Sequence, residues 1–267
     1  MGLSLSKYRQ NENTFDTISQ YIFTITGIPK KFDQEEEIAG LRHNLIREVF
    51  NGNFSSPIRN ELNNGELKIL DVGCGFGTWL FEMSSDFQNC QFVGVDKTPQ
   101  HFIANKPKNV DFVSADVTKG LPFNDESFDF IHIQNLVFDL RDKQWDSLIR
   151  ECVRVLRPGG YIEITETKFG AKSFGPELEK LEKNMIDFLT ERKINTLIVD
   201  RIEDIMNSNN LQNIVHYESY FPVGTWNSDF GNAFQTFSRE ALRASITRFG
   251  SSKDIDTELN NIIAEAN

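Results

Sequence analysis

Four residues near the end of a short apolar run have types and spacing that could bind a charged small molecule. The run reaches Asp71, and glycines follow as Gly73, Gly75 and Gly77. Glycine lets a backbone turn tightly and approach a ligand without a Cβ in the way. A carboxylate at the end of the run can accept a hydrogen bond from an ammonium group. The pattern predicts a ligand-binding turn between a strand and a helix at residues 78–86.

The glycine spacing distinguishes two classes of cofactor. Dinucleotide-binding turns have the pattern G-x-G-x-x-G and leave a pyrophosphate at the helix N-terminus. Here the third position of that pattern is Thr78, and Gly77 comes one residue early. Asp71 would also repel a pyrophosphate, whereas it suits the cationic amino acid part of a sulfonium cofactor. The turn favours S-adenosylmethionine, with Cys74 contributing its backbone. A purely structural turn is the alternative.

The next predicted strand also ends in an acid. Residues 91–96 form an apolar run that ends in Asp96, 25 residues after Asp71. This spacing fits one strand–helix–strand unit, so both acids should emerge at the same edge of a parallel sheet. We expect Asp96, with Lys97 beside it, to bind the ribose of the cofactor. A solvated loop acid is the alternative.

Two more strands are predicted to end at this edge. Residues 110–116 end in Asp116, which we expect to accept from the adenine amino group while Val117 packs on the ring. Residues 128–134 are almost continuously apolar, as in a central parallel strand covered on both faces. Gln134 ends that strand, where open α/β sheets place their ligands, so it should face the cofactor or the substrate.

The segments between these strands predict the fold class. Residues 142–157 have an amphipathic helical pattern, residues 161–166 form a fifth strand that ends in Glu166, and a further helix begins at Pro176. Strands that alternate with helices indicate an α/β, Rossmann-like, doubly wound and mostly parallel sheet. His132, within the fourth strand, is interpreted as a buried, hydrogen-bonded core histidine.

Composition narrows the range of partners. The 267 residues include 39 acids and 28 bases, for a formal charge of −11. A surface of this sign repels phosphate backbones, so we expect a small-molecule substrate or a basic protein segment and no nucleic acid. The cysteines Cys74, Cys90 and Cys152 form neither a disulfide framework nor a metal-ligand spacing. They predict a reducing, cytoplasmic setting, with a nuclear location as the alternative, and no metal.

The N-terminal part is predicted to be a flexible leader at residues 1–14 and a helical lid at residues 15–66, before the main domain at residues 67–267. The first six residues fit the acceptor pattern for myristoylation of Gly2, which would give weak peripheral membrane contact. An unmodified leader is the alternative. No apolar run approaches the roughly 20 residues of a membrane span. His43 falls off the apolar stripe of its helix, so a solvated histidine is the alternative to a site role.

With these motifs the chain resembles class I S-adenosylmethionine-dependent methyltransferases from about residue 33 to its end. The motifs lie at residues 70–77 (LDVGCGFG), 95–96, 121–123, 127–129 and 155–160. More narrowly, the chain is similar to the fungal branch that includes LaeA-like regulators of secondary metabolism. Residues 52–58, 143–145, 157–163 and 221–226 carry that second resemblance.

The resemblance implies a seven-stranded sheet whose last strand is antiparallel. It places cofactor contacts on Asp71, Gly73, Gly75, Asp96, Asp116 and Gln134. His43 coincides with a histidine often found in the fungal branch. Because the sequence ends after a helix-like segment at residues 255–266, where related chains continue into a final strand, we expect a truncated sequence or one strand fewer.

Methyl transfer from a sulfonium is an in-line displacement that depends mainly on alignment. A hydroxyl or protonated amine acceptor also needs a general base, and His43 and Glu166 are the candidates. Three classes of function stay open. The first is a small-molecule methyltransferase with a phenylalanine-rich pocket, the second is a protein or regulatory methyltransferase, and the third is a non-catalytic protein that uses the cofactor fold to bind partners.

Overall fold

The computed structural model describes residues 32–97, 106–168, 175–219, 243 and 254–266. The leader with Gly2, the first part of the lid and the motif at residues 221–226 lie outside these residues. The chain divides into two compact units, one formed by Lys31–Lys168 with Phe188–Tyr217 and the other by Met1–Lys30, Phe169–Asp187 and Glu218–Asn267. The predicted site residues all belong to the first unit.

The order of elements in the described residues alternates strands and helices. The helices are α1 (Phe32–Phe50), α2 (Arg59–Asn64), α3 (Thr78–Asp86), α4 (Asp142–Val155), α5 (Pro176–Glu191), α6 (Ile202–Ser208) and α7 (Ile255–Ala266). The strands are β1 (Lys68–Val72), β2 (Gln91–Asp96), β3 (Val110–Ser114), β4 (Phe128–Gln134) and β5 (Leu156–Thr165). Short 3₁₀ turns lie at Val117–Lys119 and Thr196–Arg201.

The five strands form one parallel sheet in the order β3-β2-β1-β4-β5. This is the order of a doubly wound sheet, and the predicted α/β Rossmann-like fold class is confirmed. The strand order reverses between β1 and β4, so a crevice opens outside the carboxyl ends of these two strands. Within the described residues, no antiparallel strand accompanies the five parallel ones.

The core of the sheet extends into the N-terminal segment. Ile69 of β1, Phe92 of β2 and Phe130 of β4 are almost fully buried, together with Leu80 of α3. Leu62 of α2 is 1% exposed and belongs to the same apolar cluster. Each buried side chain of this size stabilises the fold by about 1.5–3 kcal/mol. The segment before β1 is therefore packed onto the sheet through its own apolar residues.

Four element ends differ from the predictions, and one of them is the end of β5, which stops at Thr165 instead of residue 166. β3 stops at Ser114 instead of residue 116, because the Asp116 side chain accepts from the Thr118 N–H and caps the following 3₁₀ turn. α4 stops at Val155 instead of residue 157, because Leu156 is extended and pairs with Phe128 of β4.

The fifth strand therefore begins earlier than predicted. It contains an irregularity over residues 157–160, since Leu156 pairs with Phe128 but Tyr161 pairs with Phe130. Gly159 has φ = +81° within this irregularity, a value that favours glycine. The predicted bounds of α3, β2 and β4 and the start of α5 are confirmed. None of the helices that the structure describes has the length and apolar character needed to cross a bilayer.

Candidate functional site

The turn between β1 and α3 has left-handed backbone angles at all three predicted glycines. The φ angles are +75° at Gly73, +50° at Gly75 and +74° at Gly77. A Cβ at Gly73 would lie 2.5 Å from the Leu136 side chain, and one at Gly77 would lie 2.8 Å from the Phe112 ring. A Cβ at Gly75 would meet no described atom within 4 Å. The outer glycines therefore serve packing, whereas Gly75 leaves its backbone open to a ligand.

Asp96, at the carboxyl end of β2, is hydrogen-bonded to this turn. The Gly75 N–H donates to Asp96 Oδ2 across 3.1 Å. The N–H groups of Gly73 and Cys74 donate to the Val95 carbonyl at 2.8 and 3.2 Å. Burial raises the pKa of the Cys74 thiol, which keeps it protonated and supports a backbone role for this residue. The structure thus brings the predicted residues of β1 and β2 together.

Asp71, the acid before the glycines, is buried with a histidine partner. Asp71 is only 4% exposed, and its Oδ1 lies 2.8 Å from Nδ1 of His132 on β4. The His132 ring stacks on the Trp79 indole with centroids 3.9 Å apart and an interplanar angle of 2°. Trp79 Nε1 donates to the Asn53 carbonyl at 2.7 Å. The interpretation of His132 as a buried, hydrogen-bonded histidine is confirmed, but its contact with Asp71 was not anticipated.

Asp116 is bonded mainly within its own loop. Oδ1 accepts from the Thr118 N–H at 3.1 Å and from the Thr118 hydroxyl at 2.6 Å. These bonds hold the pKa of Asp116 below its ordinary value. Lys97 and Lys119 place their ammonium groups 3.4 and 3.7 Å from its oxygens. Lys97 therefore contacts Asp116 rather than standing free beside Asp96, and Val117 is buried next to this loop.

Gln134 ends β4 as predicted and is half-buried. It borders a cavity of about 10 Å³, enough space for roughly one water molecule when polar partners are present. Within the described residues, both ring nitrogens of His43 and Oδ1 of Asn53 are buried without a partner that meets hydrogen-bond geometry. The polar residues that line the cavity are His43, Arg47, Asn53, His132, Gln134, Glu163 and Thr165.

His43 is buried, with 4% of its surface exposed, so the alternative of a solvated histidine is wrong. α1 packs against α3, and the flank that carries His43 is covered there by Glu82, whose Oε2 lies 3.0 Å from His43 Nε2. Glu82 also accepts from Arg47 at 2.9 Å and from Asn53 at 3.1 Å. Glu82 was not identified from the sequence, because only the packing of α1 on α3 brings it to His43.

The charge states of this pair follow from its surroundings. Burial lowers the pKa of His43, although the Glu82 carboxylate, 3.0 Å from Nε2, acts in the opposite direction. Burial acts to raise the pKa of Glu82, but the nearby His43 ring, the Asn53 amide and the Arg47 guanidinium keep it below its ordinary value. At neutral pH a neutral His43 therefore contacts an ionised Glu82.

Glu166 follows β5 and holds the loop that follows β4. Oε1 accepts from the Leu136 N–H at 2.9 Å, and Oε2 accepts from the Val137 N–H at 3.0 Å. Burial raises the pKa of Glu166 to about 8, against the lowering effect of these two bonds. Asp139 raises that pKa and Arg42 lowers it electrostatically. Because both oxygens bind backbone, the geometry gives Glu166 a structural task at the carboxyl edge, and its role as general base stays a prediction.

A second carboxylate fastens the loop after α1. Glu163 of β5 accepts from the Ser55 N–H at 2.9 Å, from the Ser56 N–H at 2.8 Å and from the Ser56 hydroxyl at 2.6 Å. We call this group the Glu163 clasp. It fixes the loop that carries Asn53 against the sheet, next to the His43 cavity.

The described residues contain no group of three or more His, Cys, Asp or Glu side chains placed to hold a metal ion. The candidate site thus consists of an open glycine turn with carboxylates near it. Such a site can bind a cationic ligand at the carboxyl edge of the sheet.

Comparison with known proteins agrees with this geometry. Residues 69–160 match the family described as "Methyltransferase domain". The secondary metabolism regulator LaeA of Coprinopsis cinerea is 29% identical over 168 residues, which cover 62% of this chain and 40% of that protein. The N-methyltransferase verN of Clonostachys rogersoniana is 30% identical over 152 residues, 54% of this chain and 52% of that protein. The chain therefore spans about half or less of the length of these relatives.

One solved structure to which this chain is similar is the SAH-bound form of CalO1, a methyltransferase in calicheamicin biosynthesis. It has a TM-score of 0.49 and 15% identity to this chain, and the match covers 67% of this chain and 50% of that one.

Proposed function

We propose that this protein is an S-adenosylmethionine-dependent methyltransferase of class I that methylates a small-molecule acceptor, because residues 69–160 match the methyltransferase domain family and the chain is similar to LaeA. The proposal rests mainly on one observation, which is that the open glycine turn is hydrogen-bonded to the Asp96 carboxylate. Gly75 presents backbone that no described side chain covers, and its N–H fixes the Asp96 carboxylate beside it.

The residues at this edge suit a cationic nucleoside donor. Asp71 and Asp96 supply negative charge on adjacent strands, and Gly75 allows close approach of the ligand to the backbone. Asp96 can accept hydrogen bonds from the two hydroxyls of a ribose, and Asp71 can accept from an ammonium group. When bound, S-adenosylmethionine supplies an electrophilic methyl group whose leaving group needs no protonation. The protein's contribution is to bind, to align and to exclude water, which can supply on the order of 7–11 kcal/mol.

The charge of the site supports a neutral or amine-bearing acceptor. The formal charge of −11 and the carboxylates at the carboxyl edge disfavour an anionic one. The name of the relative verN, an N-methyltransferase, supports an acceptor nitrogen. A protonated amine needs a base, and a neutral His43 imidazole has the proton-accepting capacity for that step.

A second candidate function is regulatory or protein methylation. The similarity to LaeA, named as a regulator of secondary metabolism, supports it. The acidic surface would attract segments rich in lysine or arginine. A non-catalytic binding protein is the third candidate, and it differs from both in having no turnover.

Calorimetry followed by a labelled-methyl assay tests the proposal. Purified protein is titrated with S-adenosylmethionine and with S-adenosylhomocysteine, and it is then incubated with labelled donor and cell extract separated into metabolite and protein fractions. Donor binding with label in the metabolite fraction is the expected result. Label in protein alone would favour the regulatory function, and binding without any transfer would favour the non-catalytic one.

Two variants make the binding measurement specific. Asp96→Ala removes the carboxylate that would accept hydrogen bonds from the ribose of the methyl donor. This variant should bind S-adenosylmethionine at least tenfold more weakly. Glu66→Ala removes an exposed acid just before β1, at the opposite edge of the sheet, and should bind the donor as the wild type does. Equal affinity of all three proteins would refute the assigned donor site.

A further inference from the structure

Asp71 and His132 face each other on neighbouring strands. They are register partners of the parallel pair β1 and β4, next to the point where the strand order reverses. The bond from Asp71 Oδ1 to His132 Nδ1 is 2.8 Å long, and the two side chains are 6% and 2% exposed. A carboxylate this deeply buried is costly unless hydrogen bonds or opposite charges satisfy its oxygens.

Only one of the two Asp71 oxygens is satisfied in this way. Among the described residues, the hydrogen bond to Asp71 is the one to Oδ1 from His132, and none is made to Oδ2. The glycine turn begins two residues after Asp71, and Gly73 bonds back to the Val95 carbonyl of β2. Asp71 is therefore the carboxylate closest in sequence to the open turn, and its Oδ2 is the oxygen that His132 does not bind.

The His132 ring has little freedom to reorient. Its face lies flat on the Trp79 indole at 3.9 Å, and the indole is in turn fixed by its bond to the Asn53 carbonyl. The ring thus makes two separable contacts, an edge-on hydrogen bond to Asp71 and a face-on stack with Trp79.

We propose that His132 is a positioning residue for donor binding: its Nδ1–H holds Oδ1 of Asp71, so that Oδ2 is presented to the ammonium group of the methyl donor. This inference rests on the proposed function. It assigns to His132 a task beyond filling the core, and it predicts that the hydrogen bond, not the stack, controls donor affinity.

Three substitutions separate the two contacts. The Asn amide nitrogen stands where Nδ1 of histidine stands, so His132→Asn keeps a donor for Asp71 and loses the stack. His132→Phe keeps an aromatic ring to stack on Trp79 but loses the N–H group that donates a hydrogen bond to Asp71. His132→Gln has the same amide group as Asn but places it near the position of Nε2. From there the amide nitrogen cannot donate to Asp71 as Nδ1 does.

The test is calorimetric titration of each variant protein with S-adenosylmethionine and S-adenosylhomocysteine, with thermal denaturation of the same samples. We expect His132→Asn to bind within about threefold of the wild type. His132→Phe and His132→Gln should bind about tenfold to a hundredfold more weakly, the range for loss of a hydrogen bond to a charged group.

Each outcome decides the inference. Affinity in His132→Phe equal to that of the wild type overturns it, and so does equal affinity in His132→Asn and His132→Gln. If His132→Phe does not fold, the comparison of Asn with Gln decides alone, since those two carry the same amide and differ by one methylene group, which moves the amide away from the position of Nδ1. No donor binding by the wild type would instead overturn the proposed function, and with it this role of His132.

Discussion

The backbone N–H of Gly75 donates to Oδ2 of Asp96 across 3.1 Å, and this bond joins two parts of the candidate donor site that are 21 residues apart. Gly75 lies in the turn after β1, and Asp96 ends β2. Since the strands are hydrogen-bonded neighbours, the bond fixes both groups relative to the sheet and not merely to each other.

The open position of Gly75 predicts a specific effect of a methyl group there. Gly75→Ala has to adopt φ = +50°, which should cost about 1–2 kcal/mol of stability, and its Cβ enters the space that the ligand would use. We expect donor affinity to fall at least tenfold, measured by calorimetry with S-adenosylhomocysteine, alongside the loss measured by urea denaturation.

Gly159→Ala is the matched control. Gly159 also has a positive φ, +81°, and no described atom within 4 Å of an added Cβ, but it lies in the irregular part of β5. This variant should lose similar stability and bind the donor normally. Equal loss of affinity in both variants would show that Gly75 acts through the fold alone.

The two backbone bonds of Glu166 predict that its neutral isostere affects binding as well as turnover. Glu166→Gln retains one acceptor and turns an amide toward Leu136 or Val137, so one backbone N–H loses its partner. We expect kcat and donor affinity to fall together, in contrast to a general base, whose loss lowers kcat alone. Steady-state kinetics combined with calorimetry distinguishes the two.

The pKa of Glu166 gives this substitution a pH signature. Its pKa is raised to about 8 in the folded state, above the roughly 4.3 of an unfolded glutamate, so its contribution to stability is lost as pH rises from about 4.3 through 8. Urea denaturation at pH 6 and pH 9 should show a smaller loss for Glu166→Gln than for the wild type. An exposed control, Glu66→Gln, should lose as much as the wild type.

The buried pair of His43 and Glu82 predicts acid sensitivity. The pKa of His43 is lowered in the folded state, so the unfolded chain binds a proton first as the pH falls below about 6.5. Stability then declines by at most about 1.4 kcal/mol per pH unit until the folded pKa is reached. Glu82 affects stability over a different pH range. Because its pKa is lowered in the folded state, its contribution to stability is lost only below about pH 4.3.

Chemical denaturation between pH 7.5 and 5 measures the histidine as a difference between variant and wild type, because the change that Glu166 contributes in this range is common to both proteins. We expect the wild type to lose more stability over this range than His43→Gln does. His216→Gln changes a histidine that is 58% exposed and serves as the control, which should follow the wild type. A His43→Gln curve parallel to that of the wild type would contradict the burial of a neutral imidazole.

The elements of the sheet could be read from the sequence because local patterns determine them. The apolar runs that end in Asp96 and Gln134 and the helix after Gly77 were predicted with the bounds that the structure has. β3 and α4 ended early for reasons that involve contacts with other residues, namely a side-chain cap by Asp116 and pairing of Leu156 with Phe128.

The interior of the site could not be read in this way. The bond of Asp71 to His132 depends on the register of β1 against β4, for which a parallel pair leaves no turn signal in the sequence. The burial of His43 depends on how α1 packs against α3, and its helical face alone indicated solvent. Trp79, Glu82 and Glu163 were missed for the same reason, because each acquires its task from a distant partner.

The Glu163 clasp has a consequence for the order of folding. Ser56 and Glu163 are 107 residues apart, so the loop must wait for most of the domain before its amide groups find their acceptor. At the usual pace of translation, about 5–20 residues per second, that wait lasts roughly 5–20 s on the ribosome. Closing so long a stretch of chain is also entropically slow, which places this fastening late in folding. The newly made protein should thus expose its amino-terminal side to chaperones and proteases until the fifth strand is in place.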